Sequence, residues 1–168
     1  MIITDYIRVI PDFPKPGIQF FDMDSLFSSP VWPEVVMEAH QKLIDVENPT
    51  HVLGMESRGF VFGSALAVTM GLPFVMLRKP GKLPGEKISV TYDLEYGSDQ
   101  LAMHTGILGH TSRVIIADDV LATGGTMDAA HRLVDQTGAK VVAHTVLVAL
   151  SGLNKFEFSS PDYYLQNV

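Results

Sequence analysis

Cysteine is absent from this chain of 168 residues, which excludes a disulfide framework, a Cys-ligated zinc site and a thiol nucleophile. Charged residues are scarce, at 18% of the chain against about 25% in an average globular protein. Acidic residues predominate, since 12 Lys and Arg stand against 19 Asp and Glu and give a net charge of −7. Nucleic acids are held largely by cations on their phosphates, so we expect no nucleic-acid partner. The low charge also indicates a surface partly covered by a second subunit.

Long apolar runs are missing as well. The longest, residues 141–150, is interrupted by His144 and Thr145 and is far shorter than the ~20 residues that cross a bilayer. Residues 1–8 include Asp5 and lack the basic start and apolar run of a signal peptide. The six histidines show no His-x-His or His-Glu-x-x-His spacing, so a transition-metal site is not expected. We therefore predict a cytoplasmic protein without a membrane partner.

Hydrophobic residues make up 46% of the chain, enough for a core, and the length predicts one domain over residues 1–168. The periodicity predicts helices over Trp32–Val46, Gly59–Met70 and Met127–Gln136, and strands over His51–Met55, Pro73–Leu77, Arg113–Ala117 and Val141–Leu150. This alternation indicates an α/β fold with a mostly parallel sheet and helices on both faces. Residues 79–104 interrupt it with a Pro- and Gly-containing stretch and a β-rich run, and we expect a loop and hairpin that stand apart from the sheet as a lid.

The strongest chemical signal lies at residues 114–126, where a buried strand leads into two acids and a small-residue turn before a helix. Ligands of open α/β sheets bind just beyond the carboxyl ends of the strands. A Gly-Gly turn at a helix start exposes backbone N–H groups and the positive end of the helix dipole, which suits a phosphate. The acids, Asp118 and Asp119, then fit sugar hydroxyls or a cation. A tight turn with solvated acids is the alternative.

This stretch closely resembles the phosphoribosyl diphosphate (PRPP) motif of type I phosphoribosyltransferases. Four further segments look like the adenine phosphoribosyltransferases, in that family's order and spacing: residues 13–18, 56–60, 78–85 and 92–97. The resemblance covers roughly residues 10 to 155. It implies the type I phosphoribosyltransferase fold, with a mostly parallel central sheet flanked by helices, a small hood from the N-terminal segment and the C-terminal part, and a flexible lid hairpin.

The reaction that the resemblance implies joins adenine N9 to ribose C1′ of PRPP, forming AMP and releasing pyrophosphate in purine salvage. The sugar passes through an oxocarbenium-like transition state. By resemblance, Asp118 and Asp119 hold the ribose 2′- and 3′-hydroxyls and stabilise the cationic ring electrostatically. The 5′-phosphate is cradled by Ala122, Thr123, Gly124, Gly125 and Thr126.

The pyrophosphate needs cations, and we expect them from Arg58, Arg78, Lys79 and Lys82. The last three lie close together in an otherwise acidic chain, which favours a local anion site. For Arg58 a structural salt bridge is the alternative. The resemblance also implies Mg²⁺ bridging pyrophosphate and ribose oxygens, an ion carried mainly by substrate, because the sequence has no dedicated metal cage. It further implies a homodimer in which Arg78 reaches the neighbour's pyrophosphate site.

The adenine site follows from the resemblance alone. It places Phe20 as the ring on which adenine stacks, with the Gln19 carbonyl accepting from the 6-amino group, the Phe21 N–H donating to N1 and Leu150 closing the other face. A backbone acceptor at the exocyclic amine rejects a 6-oxo purine, because two acceptors would then face each other. Phe20 as an ordinary core aromatic is the alternative. The sequence departs from the family at Phe21, where Arg or another polar residue is usual, and at residues 23–25.

The lid carries two further residues that the family uses. Glu95 is implied to transfer a proton near N7 or N9 of the base, and Tyr96 to cover the site; an exposed hairpin acid is the alternative for Glu95. Two other functions remain open at this point. A transferase for hypoxanthine, guanine or xanthine needs a Lys or other donor at the base edge, which residues 19–22 lack. A non-catalytic PRPP-sensing regulator often adds a DNA-binding domain or a basic surface.

Overall fold

The computed structural model describes residues 1–94 and 97–168. These residues form nine strands and four helices. The strands are β1 (Arg8–Pro11), β2 (Gln19–Asp22), β3 (His51–Met55), β4 (Phe74–Leu77), β5 (Lys87–Leu94), β6 (Gly97–His104), β7 (Arg113–Leu121), β8 (Lys140–Ala149) and β9 (Asp162–Asn167). The helices are α1 (Met23–Phe27), α2 (Trp32–Lys42), α3 (Arg58–Met70) and α4 (Gly125–Asp135), and a 3₁₀ turn spans Ile3–Tyr6.

Five strands form the central sheet, in the order β4-β3-β7-β8-β9, and each neighbouring pair is parallel. The predicted parallel sheet is therefore confirmed, with β7 in its middle. β7 runs to Leu121 rather than ending at Ala117, so the two acids lie within the strand and not after it. The edge strand β9 was not predicted, because exposed and half-buried residues are interspersed along it and it has no continuous apolar run.

Helices cover both faces of this sheet, and alternate residues of β7 show how. Val114 and Ile116 belong to a buried cluster with residues of α4, whereas Ile115 and Ala117 belong to a second cluster with residues of α2 and α3. All four β7 side chains are fully buried. A strand that is apolar on both faces is what a parallel sheet between two helical layers requires.

The helices follow the predicted positions with small shifts at their ends. α2 ends at Lys42, short of the predicted Val46, although Leu43 and Val46 stay buried in the turn that follows. α3 ends at Met70, as predicted, and the following Gly71 has a φ of 68°, the left-handed cap that glycine adopts without strain. α4 ends at Asp135, one residue before the predicted Gln136.

Two small antiparallel sheets flank the central one. β1 and β2 form the predicted hood, braced where Asp22 accepts a hydrogen bond from Arg8 Nε at 2.9 Å and caps α1. The C-terminal part, which was also expected in the hood, instead supplies β9 to the central sheet.

β5 and β6 form the predicted hairpin within residues 79–104, as a sheet of its own. The hairpin nevertheless packs on the core, because Val90, Tyr92, Leu101 and Met103 are buried in the same cluster as α4. Across residues 1–94 and 97–168, none of the helices is both long and apolar enough to span a membrane.

Candidate active site

The carboxyl ends of β3, β4 and β7 meet at one edge of the central sheet, and the residues predicted to carry chemistry follow from them. Glu56 to Arg58 come directly after β3, Arg78 and Lys79 after β4, and Asp118 and Asp119 lie in the last part of β7. A cavity of about 530 Å³ opens there. It is lined by Phe20, Glu56, Ser57, Arg58, Lys79, Tyr92, Asp118, Asp119, Val120 and Thr126.

A second, smaller cavity of about 90 Å³ adjoins it at the start of α4. It is lined by Asp118, Val120, Leu121, Ala122, Thr123, Gly124, Thr126 and Met127, three of which also line the larger cavity. Gly124 is the N-cap of α4, has a φ of 86° and supplies no capping side chain, so the first N–H groups of the helix are left for a ligand. The arrangement suits an anion at the positive end of the helix dipole.

The two acids of β7 have different surroundings. Asp119 is buried, and its Oδ2 lies 2.7 Å from Arg58 Nε. Asp118 is half-buried, and its Oδ1 accepts a hydrogen bond from the Asp119 N–H at 3.0 Å. Burial, followed by repulsion from Asp119, raises the pKa of Asp118 well above its usual value. Asp119 is therefore balanced by a cation, whereas the charge of Asp118 is disfavoured until a positive group enters the cavity.

Arg58 connects the hood to these acids. Its Nη1 donates to the Phe21 carbonyl at 3.1 Å, and its guanidinium lies 5.1 Å from the centre of the Phe20 ring. The salt bridge considered as an alternative role for Arg58 is present, but its partner Asp119 belongs to the site itself. The Arg58 side chain is 35% exposed and lines the cavity, so its remaining donors can face an anion.

Glu56 organises the basic residues after β4. Its Oε2 accepts from the Lys79 N–H at 2.8 Å and from Arg78 Nε at 3.1 Å. The backbone hydrogen bond from Lys79 and then the Arg78 side chain outweigh burial and hold the pKa of Glu56 below its usual value. Of the four cations predicted for the pyrophosphate, Arg58 and Lys79 line the cavity, whereas Arg78, which lies over the Phe60 ring, and Lys82 do not.

At the predicted base end, Phe20 alone of the four expected residues lines the cavity. Its ring meets Phe13 edge-on, with centroids 5.0 Å apart. Gln19 pairs with Pro11 at the exposed end of β2, while Phe21 and Leu150 pack against a buried cluster. Glu95 and Tyr96 fall outside the described residues, so their predicted roles stay predictions.

Four lining residues were assigned no role from the sequence: Glu56, Ser57, Tyr92 and Val120. The first three lie inside the motifs at 56–60 and 92–97. The motifs therefore identified the segments that form the site, but not that these three side chains line the cavity. Within residues 1–94 and 97–168, no group of three or more His, Asp or Glu side chains is placed to hold a metal. Carboxylate oxygens of Asp118 and Asp119 are nonetheless the hard donors that suit Mg²⁺.

Comparison with known proteins agrees with this geometry. The family described as phosphoribosyl transferase domain matches residues 23–162. The chain is 50% identical over 154 residues to the adenine phosphoribosyltransferase of Carboxydothermus hydrogenoformans, covering 91% of this chain and 90% of that protein. It is similar to the crystal structure of the adenine phosphoribosyltransferase of Thermoanaerobacter pseudethanolicus, with a TM-score of 0.93, 38% identity and coverage of 99% and 98%. The Giardia lamblia enzyme complexed with 9-deazaadenine gives a TM-score of 0.90, 35% identity and coverage of 100% and 98%.

Proposed function

Because the chain belongs to the adenine phosphoribosyltransferases of the phosphoribosyl transferase family, we propose that its two adjoining cavities are where adenine reacts with PRPP. The enzyme joins adenine to the ribose of PRPP, forming AMP and pyrophosphate in purine salvage. The observation that carries the assignment of the site is the meeting of two carboxylates, a helix N-terminus and two cations around the two adjoining cavities.

The 5′-phosphate binds at the start of α4, in the smaller cavity. Ala122 to Thr126 turn there with Gly124 in a conformation that leaves N–H groups pointing away from the helix. The hydroxyls of Thr123 and Thr126 add donors beside them. Phosphate charge and helix dipole attract each other, which fixes the ribose between this loop and the acids of β7.

Asp118 and Asp119 accept hydrogen bonds from the ribose hydroxyls. As the bond from C1′ to pyrophosphate breaks, the ring gains positive charge beside Asp118, whose own negative charge is disfavoured by burial and by Asp119. The attraction between the Asp118 carboxylate and the ribose ring is stronger in the transition state than in the ground state, and this difference lowers the barrier. Arg58 keeps Asp119 in place through the 2.7 Å contact.

The leaving pyrophosphate is received by Arg58 and Lys79. Mg²⁺, when bound, would neutralise charge on the pyrophosphate; PRPP oxygens would supply most of its ligands, and the carboxylates of Asp118 and Asp119, which line the cavity, would be available to hold it. This predicts that AMP formation stops when EDTA removes the metal and returns when Mg²⁺ is restored. Full activity in excess EDTA would contradict the metal proposal without affecting the reaction assigned to the chain.

Adenine enters on the side of Phe20, where the hood meets the cavity. The related Giardia enzyme was crystallised with the adenine analogue 9-deazaadenine, which supports adenine as the base that the enzyme accepts. Recognition rests on backbone groups of Gln19 and Phe21, with Leu150 on the far face and Glu95 and Tyr96 closing over the base. Initial rates with adenine, hypoxanthine and guanine test this: adenine should be preferred by roughly 10⁴-fold or more, because a 6-oxo group faces an acceptor. Equal rates with hypoxanthine would refute the backbone reading of the base.

A homodimer is the proposed working unit. An apolar groove of about 500 Å³ lies between α2 and α3, and Met37 and Val68 on it are 57% and 82% exposed. A large exposed apolar surface on a chain with few charges is typical of a subunit interface. Arg78, held outside its own cavity, is available to a neighbour. Sedimentation should give a dimer and Val68→Lys a monomer; a fully active monomeric wild type would contradict the proposal. A cytoplasmic location stays a prediction.

A further inference from the structure

The second strand of the hairpin places a carboxylate beside Lys79. Asp99 on β6 lies directly opposite Tyr92 on β5 in the register of the hairpin. Asp99 Oδ2 accepts from Lys79 Nζ at 2.9 Å and from the Tyr92 hydroxyl at 3.2 Å, while its Oδ1 accepts from the Gln100 N–H at 2.8 Å. Both oxygens of one carboxylate are thus occupied, and one of them joins two residues that line the cavity.

This ion pair is partly withdrawn from water. The side chain of Asp99 is 18% exposed, and Tyr92 is 5% exposed. Burial by itself would raise the pKa of Asp99, but the hydrogen bonds from Lys79 and from the Gln100 N–H outweigh it and leave the pKa below its usual value. The hydrogen bond to Asp99 likewise raises the pKa of Lys79 against the effect of burial. Both groups are therefore held in their charged forms.

Tyr92 brings the hairpin to the wall of the larger cavity, which Lys79 and Thr126 also line. Thr126 is the last residue of the phosphate-binding turn. The contacts among Asp99, Tyr92 and Lys79 thus lie at the same cavity as the turn proposed for the 5′-phosphate.

We propose that Asp99 and Tyr92 are positioning residues for PRPP, which fix Lys79 at the pyrophosphate end of the cavity. The proposal rests on the proposed function of the cavity. An ammonium group has three N–H donors, and Lys79 uses one of them on Asp99. The other two are free to turn towards the cavity that Lys79 lines. Neither Asp99 nor Tyr92 touches the reacting atoms in this scheme, since both act through Lys79.

A contact between Asp99 and Lys79 can either orient Lys79 for PRPP or withhold it from PRPP. The two roles predict opposite changes in PRPP affinity when the charge of Asp99 is lost. The side chain of Lys79 remains 47% exposed while bonded to Asp99, so the pair does not remove the ammonium from the cavity. A supporting carboxylate that orients a ligand-binding cation without covering it is the arrangement that keeps a binding site in one geometry. Loss of the Asp99 charge should accordingly weaken PRPP binding, not strengthen it.

Calorimetric titration with PRPP and Mg²⁺, without adenine, tests this on the intact protein. Asp99→Asn should weaken PRPP binding by roughly 10-fold or more, because an amide oxygen holds the Lys79 ammonium less firmly than a carboxylate does. Tyr92→Phe, which keeps the buried ring, should weaken it by a few-fold and serves as a second variant if Asp99→Asn is unstable. Glu47→Gln is the matched control, because it removes a carboxylate that is 80% exposed and outside the lining of the cavity, and PRPP affinity should not change.

AMP separates positioning from a general structural role, because AMP carries no pyrophosphate. Asp99→Asn should leave AMP affinity within about threefold of wild type, whereas a distorted cavity would weaken both ligands together. A cycle with Lys79→Met shows whether Asp99 acts through Lys79: in that background, Asp99→Asn should have almost no further effect on PRPP.

The inference would be overturned if Asp99→Asn bound PRPP as tightly as the wild type or more tightly. It would also be overturned if Asp99→Asn lowered PRPP affinity equally with Lys79 and with Lys79→Met. A wild-type protein that fails to bind PRPP would instead refute the proposed function.

Discussion

Gly59 is the residue at which a single added methyl group should separate activity from stability. It lies in the first turn of α3, next to the acids of β7, and a Cβ at this position would be 2.5 Å from Asp118 Oδ1. An ordinary contact needs at least 3.4 Å, so the carboxylate must retreat by about 0.9 Å. Ala in a helix is favoured over Gly by up to about 1 kcal/mol, which offsets part of the cost of the contact.

Gly59→Ala should therefore reduce activity more than it reduces the free energy of unfolding, because it displaces the carboxylate that faces the cationic ribose. A displacement of about 1 Å in a reacting geometry costs on the order of 10²-fold in rate, or about 2.7 kcal/mol of transition-state stabilisation. The assay is kcat/KM for AMP formation from adenine and PRPP, beside urea unfolding of the same preparation.

Gly63→Ala provides the control within the same helix. A Cβ at Gly63 would lie 2.9 Å from the Phe74 ring and 3.3 Å from Gly54 Cα, so it strains packing in the core without touching either acid. This variant should lose stability but keep the kcat/KM of the folded fraction. If Gly59→Ala kept wild-type kcat/KM, Asp118 would not be positioned as described and the role given to it would be wrong.

Three further perturbations follow from particular contacts. Gly124→Val should abolish calorimetric binding of both PRPP and AMP, because the residue has a φ of 86° and its Cβ would meet Asn154 and Phe156; retained AMP binding would refute the phosphate site. Glu95→Gln should lower the single-turnover rate by roughly 10²-fold or more with little change in the KM for PRPP, and a rate within about threefold of wild type would exclude proton transfer by Glu95. Burial lowers the pKa of His131 from its usual 6.5, so the unfolded chain takes up a proton at a higher pH than the folded protein does. The free energy of unfolding should therefore fall as the pH drops below 6.5, and His131→Gln should reduce that dependence on pH in urea titrations. An unchanged dependence would contradict the lowered pKa of His131.

The sequence predicted the elements whose hydrophobic pattern is continuous. β3 has the predicted limits, and α3 begins one residue early. β7 was predicted too short because its two acids resemble a strand end, although a strand at the open edge of a sheet can carry polar side chains towards a ligand. β9 was missed because an edge strand needs no apolar run.

The candidate site was predictable as far as its motifs reach. Asp118, Asp119 and the turn at 122–126 were found because strand, acids and glycines are adjacent in sequence. The contact between Asp99 and Lys79 could not be found, because it depends on the register of β5 against β6 and on the loop that follows β4. The orientation of Arg78 was likewise set by Glu56, which lies 22 residues away in the sequence.

We propose that the carboxylates of β7 serve the transfer of ribose phosphate to adenine. The most direct measurement is chromatographic quantification of AMP and pyrophosphate formed from adenine, PRPP and Mg²⁺ by the wild type and by the double variant Asp118→Asn with Asp119→Asn, both confirmed as folded. The wild type should form AMP and pyrophosphate in equal amounts, and the double variant should be slower by roughly 10²-fold or more, since preorganised charge is a major part of such catalysis. Equal rates from both proteins would contradict the role proposed for Asp118 and Asp119. A wild type that forms no AMP would contradict the reaction itself.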